Sequence, residues 1–310
     1  MKKLQFLLVL LVVLQTSFVA AQKVSNIAYR QEQSNIIVSY DLETKSPCKV
    51  NLFVSTNGGT TWQGPLTKVS GDVGAKIASG SHSITWKVLE EFEELRGDKI
   101  QFQVRAYSED LKSIVIGTQS WANKNLNVEL YSDGTEIPQV TDPTAWAALT
   151  TGAWCYYDND TDNGEVYGKL YNWYAVAGIW NESSRTDMLQ RKKLAPIGYH
   201  IPSDDEWRTL TYFLGGYDIA GGKMKEIDTT HWSRPNKGAT NKSGFTALPG
   251  GCRYDIGTFS SINYICYWWS YSLDYNGYKA NVYNLYHYSD ISSSYQNNLS
   301  FGYSVRCIKD

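Results

Sequence analysis

Three aspartates stand at alternate positions in the segment YYDNDTDNGEVYGKLYNWYAV. Asp158, Asp160 and Asp162 have the spacing of the first three ligands of an EF-hand loop, where several oxygens must surround a calcium ion. The match fails further along, because the glycine position is Asn163 and the position of the bidentate glutamate is Lys169. Without that glutamate the loop loses two ligand oxygens. We therefore predict an ordinary turn and no cofactor, with calcium on the three aspartates as the alternative.

The second half of the same segment, YGKLYNWYAV, is rich in aromatic residues. Leu170, Trp173 and Val176 recur at helical spacing, which indicates a short buried helix or a wrapped strand. Aromatic residues in such a pattern usually belong to a core rather than to a binding site. We predict a structural role for this part.

Catalytic motifs are missing from the sequence. It contains neither G-x-S-x-G nor H-E-x-x-H. The histidines are scattered at four positions, His82, His200, His231 and His287. His200 precedes a predicted helix, where we expect it to bond a backbone carbonyl. We predict that the protein is not an enzyme.

Three aromatic residues lie in polar, loop-like contexts and are the candidates for ligand binding: Trp180, Trp232 and Tyr254. Sugar binding without calcium needs exposed aromatic faces for stacking, with nearby Asn and Asp side chains for hydrogen bonds. Each of these residues has a competing interpretation as a buried packing residue.

The first 21 residues have the pattern of a secretory signal peptide. Lys2 and Lys3 precede the apolar run 6–14, and Val19-Ala20-Ala21 offers small residues for cleavage. The apolar run is too short to span a bilayer. We expect an exported protein, secreted, periplasmic or at the cell surface, without membrane insertion.

Charge and cysteine content fit the same expectation. Removing the two signal-peptide lysines takes the formal net charge from −2 to −4, a mild value that predicts no nucleic-acid partner. Five cysteines in an oxidising compartment predict one or two disulfides, whose pairing stays open.

Aromatic content divides the mature chain into two predicted domains, 22–113 and 114–310. The second contains 20 of the 23 tyrosines and 9 of the 11 tryptophans. In the first, Ile36, Val38 and Tyr40 alternate with polar residues, the pattern of half-buried strands. Repeated short strands with Gly and Ser turns predict an all-β sandwich.

The clearest helix of the second domain lies in PSDDEWRTLTYFLGG. Ser203 and Glu206 have the spacing of a capping box, and Trp207 begins an apolar face. Two glycines then end the helix. A second short helix is expected over 219–226, and the rest is predicted to be short strands and long loops.

Both halves resemble known families. VSTNGGTTWQGPLTKVSGDVG followed by ITW resembles fibronectin type III-like modules of secreted bacterial proteins. IGTQSWANKNLNV, VYGKLYNWYAVAG, APIGYHIPSDDEWRTLTYFLGG, ATNKSGFTALPGGCRYDIGTF and GYSVRCIKD occur in the order typical of the Fibrobacter succinogenes major paralogous domain. This second resemblance covers residues 116–310, although Ala195 and Tyr199 depart from the family pattern.

The resemblance implies an α+β domain with a C-type-lectin-like fold, in which two helices flank small antiparallel sheets and long loops. Formylglycine-generating enzymes share that fold, but their activity depends on a cysteine pair before the final strand, and residues 267–306 contain no cysteine. We therefore predict a non-catalytic binding or adhesion protein that contacts glycan or a surface protein. An enzyme of unknown reaction on this scaffold and a structural component of a surface assembly are the alternatives.

Overall fold

A computed structural model describes residues 22–44, 47–97, 99–108, 111–133 and 135–310. The predicted signal peptide lies outside the described residues. The chain divides into two compact units, Met1–Glu109 and Asp110–Asp310. No helix in the described ranges is both long and apolar enough to cross a membrane.

The described part of the first unit is built of strands. They are β1 (Gln22–Glu32), β2 (Asn35–Thr44), β3 (Cys48–Ser55), β4 (Val69–Gly71), β5 (Gly74–Ile77), β6 (Gly80–Lys87) and β7 (Gln101–Ser108). They form two antiparallel sheets with the orders β1-β2-β6-β4 and β5-β3-β7.

Residues of both sheets share one hydrophobic core in the first unit. Val38 and Trp86 of one sheet belong to the same buried cluster as Val50 and Leu52 of the other. Alternation along β2, β3, β6 and β7 sends every second side chain into this cluster, as the sequence pattern predicts. Two antiparallel sheets around one core have the arrangement of a β-sandwich.

The second unit mixes short helices with small antiparallel sheets. Its helices are α1 (Pro143–Ala147), α2 (Thr161–Tyr167), α3 (Trp173–Val176), α4 (Ser183–Thr186), α5 (Asp204–Phe213) and α6 (Tyr217–Met224). Its strands are β8 (Ser113–Ile116), β9 (Gln119–Ala122), β10 (Trp154–Cys155), β11 (Leu170–Tyr171), β12 (Tyr199–His200), β13 (Gly250–Arg253), β14 (Phe259–Ile262), β15 (Ile265–Leu273), β16 (Lys279–Tyr286), β17 (Ser292–Asn298) and β18 (Ile308–Lys309).

The longest strands of this unit form the sheet β15-β16-β17, and shorter strands form β12-β18-β9-β8, β10-β11 and β13-β14. Successive side chains of β15 and β16 enter different cores. Trp269 and its cross-strand partner Val282 belong to one cluster, whereas Trp268 and its partner Tyr283 belong to another. The sheet therefore has two distinct faces, which we call the Trp269 face and the Trp268 face.

Helix α5 begins as the sequence predicts. The Ser203 side chain accepts a hydrogen bond from the Glu206 backbone N–H, and the Glu206 side chain caps the Ser203 backbone N–H, which confirms the capping box. Trp207 is buried, with an aromatic core around it. The second helix is confirmed with shifted bounds, because α6 spans Tyr217–Met224 rather than 219–226.

The structure does not contain the predicted disulfides. Each of the five cysteines is a buried thiol. Burial raises the pKa of Cys155, Cys252 and Cys307 to about 12, so these thiols stay protonated and unreactive. The count of cysteines suggested bridges, but it carries no information on which side chains meet.

Candidate functional site

The three predicted ligand-binding aromatics lie in different environments. Tyr254 is 38 % exposed in the turn between β13 and β14, and Trp180 is 39 % exposed before α4. Trp232 is only 1 % exposed, and its Nε1 donates a hydrogen bond to the Ala247 carbonyl 2.9 Å away. The prediction that Trp232 binds a ligand from solution is therefore wrong, because its polar sequence neighbours surround a ring that is packed in the core.

Trp180 is partly occupied by internal contacts. Its Nε1 donates to the Gln190 carbonyl at 3.1 Å, and the Lys192 ammonium lies 4.4 Å from the ring centroid. Lys192 is in turn paired with Asp133. No ring contact in the described ranges joins Trp180 to another aromatic side chain. Trp180 is therefore a single ring, and the Lys192 ammonium covers one of its faces.

Tyr254, in contrast, begins a continuous row of rings. The centroids of Tyr254 and Phe301 are 5.6 Å apart, and those of Phe301 and Tyr303 are 5.7 Å apart. Tyr303 stacks on Tyr267 at 5.0 Å, and its hydroxyl lies 3.4 Å from that of Tyr295. We call these five residues the aromatic strip. Its outer members Tyr254 and Tyr295 are exposed, whereas Tyr303 is buried at its base.

The strand register places the strip on the Trp269 face. Tyr267 lies two positions before Trp269 on β15, and Tyr295 of β17 is opposite Val282 of β16. Tyr286 is a diagonal neighbour of Tyr267 on this face, within reach of a large side chain.

A second group of rings extends from Tyr286 beyond the end of β16. Tyr286 and Tyr288 are 5.1 Å apart, His287 lies 5.3 Å from Tyr288, and Tyr264 lies 5.1 Å from His287. Tyr288 and Tyr264 are more than half exposed. Aromatic surface therefore continues along this end of the sheet.

Polar side chains accompany the strip. Asn297 Nδ2 donates to the Tyr303 hydroxyl at 2.6 Å, and Asn298 Nδ2 donates to Asp255 Oδ2 at 3.2 Å. Burial raises the pKa of Tyr295 to about 12, so its hydroxyl keeps its proton and can donate a hydrogen bond. The strip thus combines flat apolar rings with hydroxyl and amide groups.

Asn284 lies at the base of this surface, opposite Tyr267 on one side and Ser293 on the other. Its side chain is fully buried, and neither Nδ2 nor Oδ1 has a hydrogen-bond partner among the described residues. An unpaired buried amide is costly and is usually satisfied by a water molecule or a ligand.

Arg253 fixes the position of Tyr254. Its backbone pairs with Gly302, which brings the Tyr254 turn beside Phe301. Its guanidinium is fully buried and donates to three backbone carbonyls, those of Val140, Thr141 and Gly257. A neutral side chain could not satisfy this set of acceptors, so the cation determines where one end of the strip lies.

The three aspartates of the proposed calcium loop do not form a metal site in the structure. Asp160 is the N-cap of α2, and its side chain accepts a hydrogen bond from the Asp162 N–H at 2.9 Å. Asp158 adopts a φ of 52°, the left-handed conformation that Asp tolerates in turns. Within the described ranges, no group of three or more His, Cys, Asp or Glu side chains is placed to hold a metal ion. The absence of a cofactor stays a prediction.

We expect the three aspartates to differ in their effect on stability. Asp160→Ala removes an N-cap and should lower the free energy of unfolding by about 1 kcal/mol. Asp158→Asn and Asp162→Asn should each change it by less than about 0.5 kcal/mol. Denaturant unfolding with and without calcium is the measurement. A calcium-dependent loss of similar size in all three variants would contradict the capping role.

Lys169 occupies the position where an EF-hand would place glutamate, and it is buried. Its Nζ donates to Asn127 Oδ1 at 2.7 Å and to the Tyr156 hydroxyl at 3.0 Å, and it lies 4.2 Å from the Trp154 ring centroid. Burial lowers the pKa of Lys169, and the nearby Glu129 carboxylate partly offsets this. The Lys169 ammonium therefore links Asn127, Tyr156 and Trp154, in the segment where the aspartate spacing had suggested a bound calcium ion.

His200 bonds two carboxylates instead of the expected backbone carbonyl, so that prediction was wrong. Its Nδ1 is 2.7 Å from Asp310 Oδ1, and its Nε2 is 2.7 Å from Glu206 Oε1. Burial alone would lower the pKa of His200, but the hydrogen bonds to Asp310 and Glu206 outweigh it, and the pKa is raised. The pKa of Glu206 is lowered, because hydrogen bonds from Ser203 and His200 outweigh the effect of burial.

These shifts predict a pH-dependent contribution to stability. The part due to His200 is fully present below its ordinary pKa of 6.5 and is lost as the pH rises through the raised value. The part due to Glu206 is present above its ordinary pKa of 4.5 and is lost as the pH falls through the lowered value. His200→Gln should therefore cost most between pH 4.5 and 6.5, by at most about 1 kcal/mol because the pair is partly exposed. Unfolding curves of both proteins at pH 5.5 and 9 test this, and an equal difference at both values would contradict it.

The fold and this surface define a class of protein: a two-unit chain whose second unit is a mixed domain of small antiparallel sheets and short helices with an aromatic surface. The family model of the Fibrobacter succinogenes major domain matches residues 114–309, and the chain belongs to that family. The chain matches no curated protein and no solved structure.

Most of the strip was missed by the sequence reasoning. Tyr254 was predicted, whereas Tyr267, Tyr295, Phe301 and Tyr303 were not. One feature of the sequence could have indicated Tyr295 as a binding residue: it is the aromatic residue of SSSYQNN, where its neighbours are all polar. Its ring neighbours come from other parts of the chain, and only the folded register brings them together.

Proposed function

We propose that this protein is an exported, non-catalytic binding protein whose second domain contacts glycans through the aromatic strip. The single observation that carries the proposal is the row of rings from Tyr254 through Phe301 and Tyr303 to Tyr267, which Tyr295 joins through its hydroxyl, with Tyr254 and Tyr295 exposed.

The chemistry of the strip suits a sugar polymer. Tyrosine rings present flat apolar faces that pack on the C–H faces of pyranose rings, while their hydroxyls hydrogen-bond to sugar hydroxyls. Asn297 and Asn298 add amide groups beside the rings. Two exposed rings, Tyr254 and Tyr295, with the half-buried Tyr267 and Phe301 beside them, favour a chain of sugar units over a free monosaccharide.

The remaining parts of the proposal come from the sequence. The second domain takes a C-type-lectin-like fold, and the first unit is a fibronectin type III-like spacer that presents it. The signal-peptide pattern at residues 1–21 supports export. Five buried thiols are compatible with an oxidising compartment, because their burial protects them from pairing.

The experiment is a glycan array probed with the mature chain beginning at Gln22, supplemented by pull-down on insoluble polysaccharides. Retention on at least one glycan, abolished by free ligand in solution, is the expected result. A chain that is folded by circular dichroism and yet binds no glycan on the array and no polysaccharide would contradict the proposal.

A further inference from the structure

The Trp268 face of the same sheet carries a shallow cleft, widely open to solvent, where it meets the start of α5. The cleft has a volume of about 380 Å³ and is lined by Asp204, Arg208, Asn281, Ser294, Tyr295 and Gln296. Asn281 of β16 is paired with Gln296 of β17, and Ser294 is paired with Tyr283. Alternation along β17 sends Ser294 and Gln296 to this face, whereas the side chain of Tyr295 belongs to the aromatic strip.

Asp204 and Arg208 form an ion pair in the cleft, and a buried tyrosine holds Asp204 in position. Arg208 Nη2 lies 2.8 Å from Asp204 Oδ2, and the Tyr283 hydroxyl donates to Asp204 Oδ1 at 2.7 Å. Tyr283 is itself buried and stacked on Trp207, with centroids 5.0 Å apart and an angle of 15° between the rings. The ion pair is therefore held in place by a buried, stacked pair of aromatic rings, and its two charges compensate each other.

The other groups that line the cleft have open hydrogen-bonding capacity. The side chains of Asn281, Ser294 and Gln296 make no hydrogen bond within the described residues; Ser294 and Gln296 are exposed to solvent, and Asn281 is half-buried. Amides and hydroxyls both donate and accept. Three such side chains converge beside the exposed N–H groups of Arg208, whose side chain is 53 % exposed.

The charge balance selects the ligand class. Because Asp204 neutralises Arg208, the cleft holds no uncompensated charge that would favour an anion or a cation. Sugar hydroxyls match groups that both donate and accept, and a volume of 380 Å³ is at the small end of the range of about 300–1,000 Å³ for small-molecule sites. We propose that this cleft is a second binding site, for a neutral, hydroxyl-rich ligand of one or two sugar rings.

This inference goes beyond the glycan binding proposed for the strip, because the polar side chains of the cleft lie on the other face of the sheet and Tyr295 is the one residue that the two sites share. Two sites on the two faces of one three-stranded sheet would let a single domain hold two glycan segments at once. Simultaneous engagement raises the overall affinity for a polymer without any new contact.

The test is an NMR titration of the mature chain with four probes, the methyl glycosides of glucose, galactose, mannose and xylose. We expect at least one probe to shift the side-chain amide signals of Asn281 and Gln296. In the double variant Asn281→Ala, Gln296→Ala, that probe should bind about tenfold more weakly, as measured by the shift of the Arg208 backbone signal. Tyr254→Ala, which alters only the strip, should bind it as the wild type does.

Three outcomes would overturn the proposal: no shift with any of the four probes, unchanged affinity in the double variant, or loss of the shift in Tyr254→Ala. Thermal unfolding midpoints of the variants equal to that of the wild type show that a lost shift is not a lost fold. The two proposals can fail separately. If the chain binds no polysaccharide through the strip, the NMR signals of Asn281 and Gln296 still report whether a methyl glycoside binds in the cleft.

Discussion

Arg253→Met is expected to lower the free energy of unfolding of the second domain by about 3–5 kcal/mol. The guanidinium is fully buried and donates to the carbonyls of Val140 at 2.5 Å, Thr141 at 2.8 Å and Gly257 at 2.9 Å. Methionine fills a similar volume but leaves the Val140 and Gly257 carbonyls without a donor among the described residues, and each unsatisfied buried carbonyl costs about 1–3 kcal/mol. The Thr141 carbonyl keeps only the 3.3 Å hydrogen bond from Asn159 Nδ2.

The aromatic surroundings of Arg253 add to this loss. Its guanidinium carbon lies 4.5 Å from the Trp146 ring centroid and 4.8 Å from that of Phe259. Cation–π contacts in such desolvated positions contribute about 2 kcal/mol. The charge is thus stabilised by two rings and three carbonyls, without a carboxylate partner among the described residues.

The measurement for Arg253 is denaturant unfolding followed by tryptophan fluorescence. Arg185→Met is the matched control, because Arg185 forms an exposed pair with Glu182 and should cost less than about 1 kcal/mol. A loss for Arg253→Met that is no larger than the control would contradict the structural role of the buried cation.

Lys225→Met is expected to have the second largest effect, a loss of about 3 kcal/mol, because three carbonyls lose the hydrogen bond from the ammonium. Of these, the Tyr286 carbonyl keeps another donor, the Ser289 N–H at 3.4 Å. Lys225 Nζ donates to the carbonyls of Lys237 at 2.7 Å, Tyr286 at 2.9 Å and Ser289 at 2.8 Å. These contacts tie the end of β16 to a loop far away in the sequence. The same unfolding measurement applies, with the exposed Lys309→Met as its control.

The pH dependence of this effect has a defined sign. Burial lowers the pKa of Lys225 to about 8, from an ordinary value of 10.5. Between these values the unfolded chain binds more protons than the folded chain, so the free energy of unfolding contributed by Lys225 rises with pH. The difference between wild type and Lys225→Met should therefore be larger at pH 10 than at pH 7. A smaller difference at pH 10 would contradict the burial of a charged ammonium.

Local sequence signals predicted the local parts of the fold. The capping box of Ser203 and Glu206 and the burial of Trp207 follow from interactions within a few residues, and both are confirmed. Burial of Leu170, Trp173 and Val176 is confirmed as well, with Asn172 capping α3 through its side chain. Spacing alone specifies such features, because their partners lie within one or two turns.

Long-range features could not be predicted in the same way. The aromatic strip requires Tyr267, Tyr295 and Tyr303 to meet through the register of three strands. Arg253 and Lys225 donate hydrogen bonds to backbone carbonyls. Because every residue has a carbonyl, the residue types in the sequence do not show which ones are the partners. The cysteine count suggested covalent bridges, whereas the second domain places buried cations between its loops.

The central claim is that the aromatic strip binds glycan, and isothermal titration calorimetry of variants tests it most directly. The mature chain is titrated with the tightest ligand found on the array, alongside Tyr254→Ala, Tyr295→Ala and the control Tyr275→Ala, whose side chain is fully exposed on the β15–β16 turn. Loss of one stacking ring should weaken binding about tenfold, or 1.4 kcal/mol, in each strip variant and leave the control unchanged. Wild-type affinity in both strip variants, or an equal loss in Tyr275→Ala, would contradict the claim.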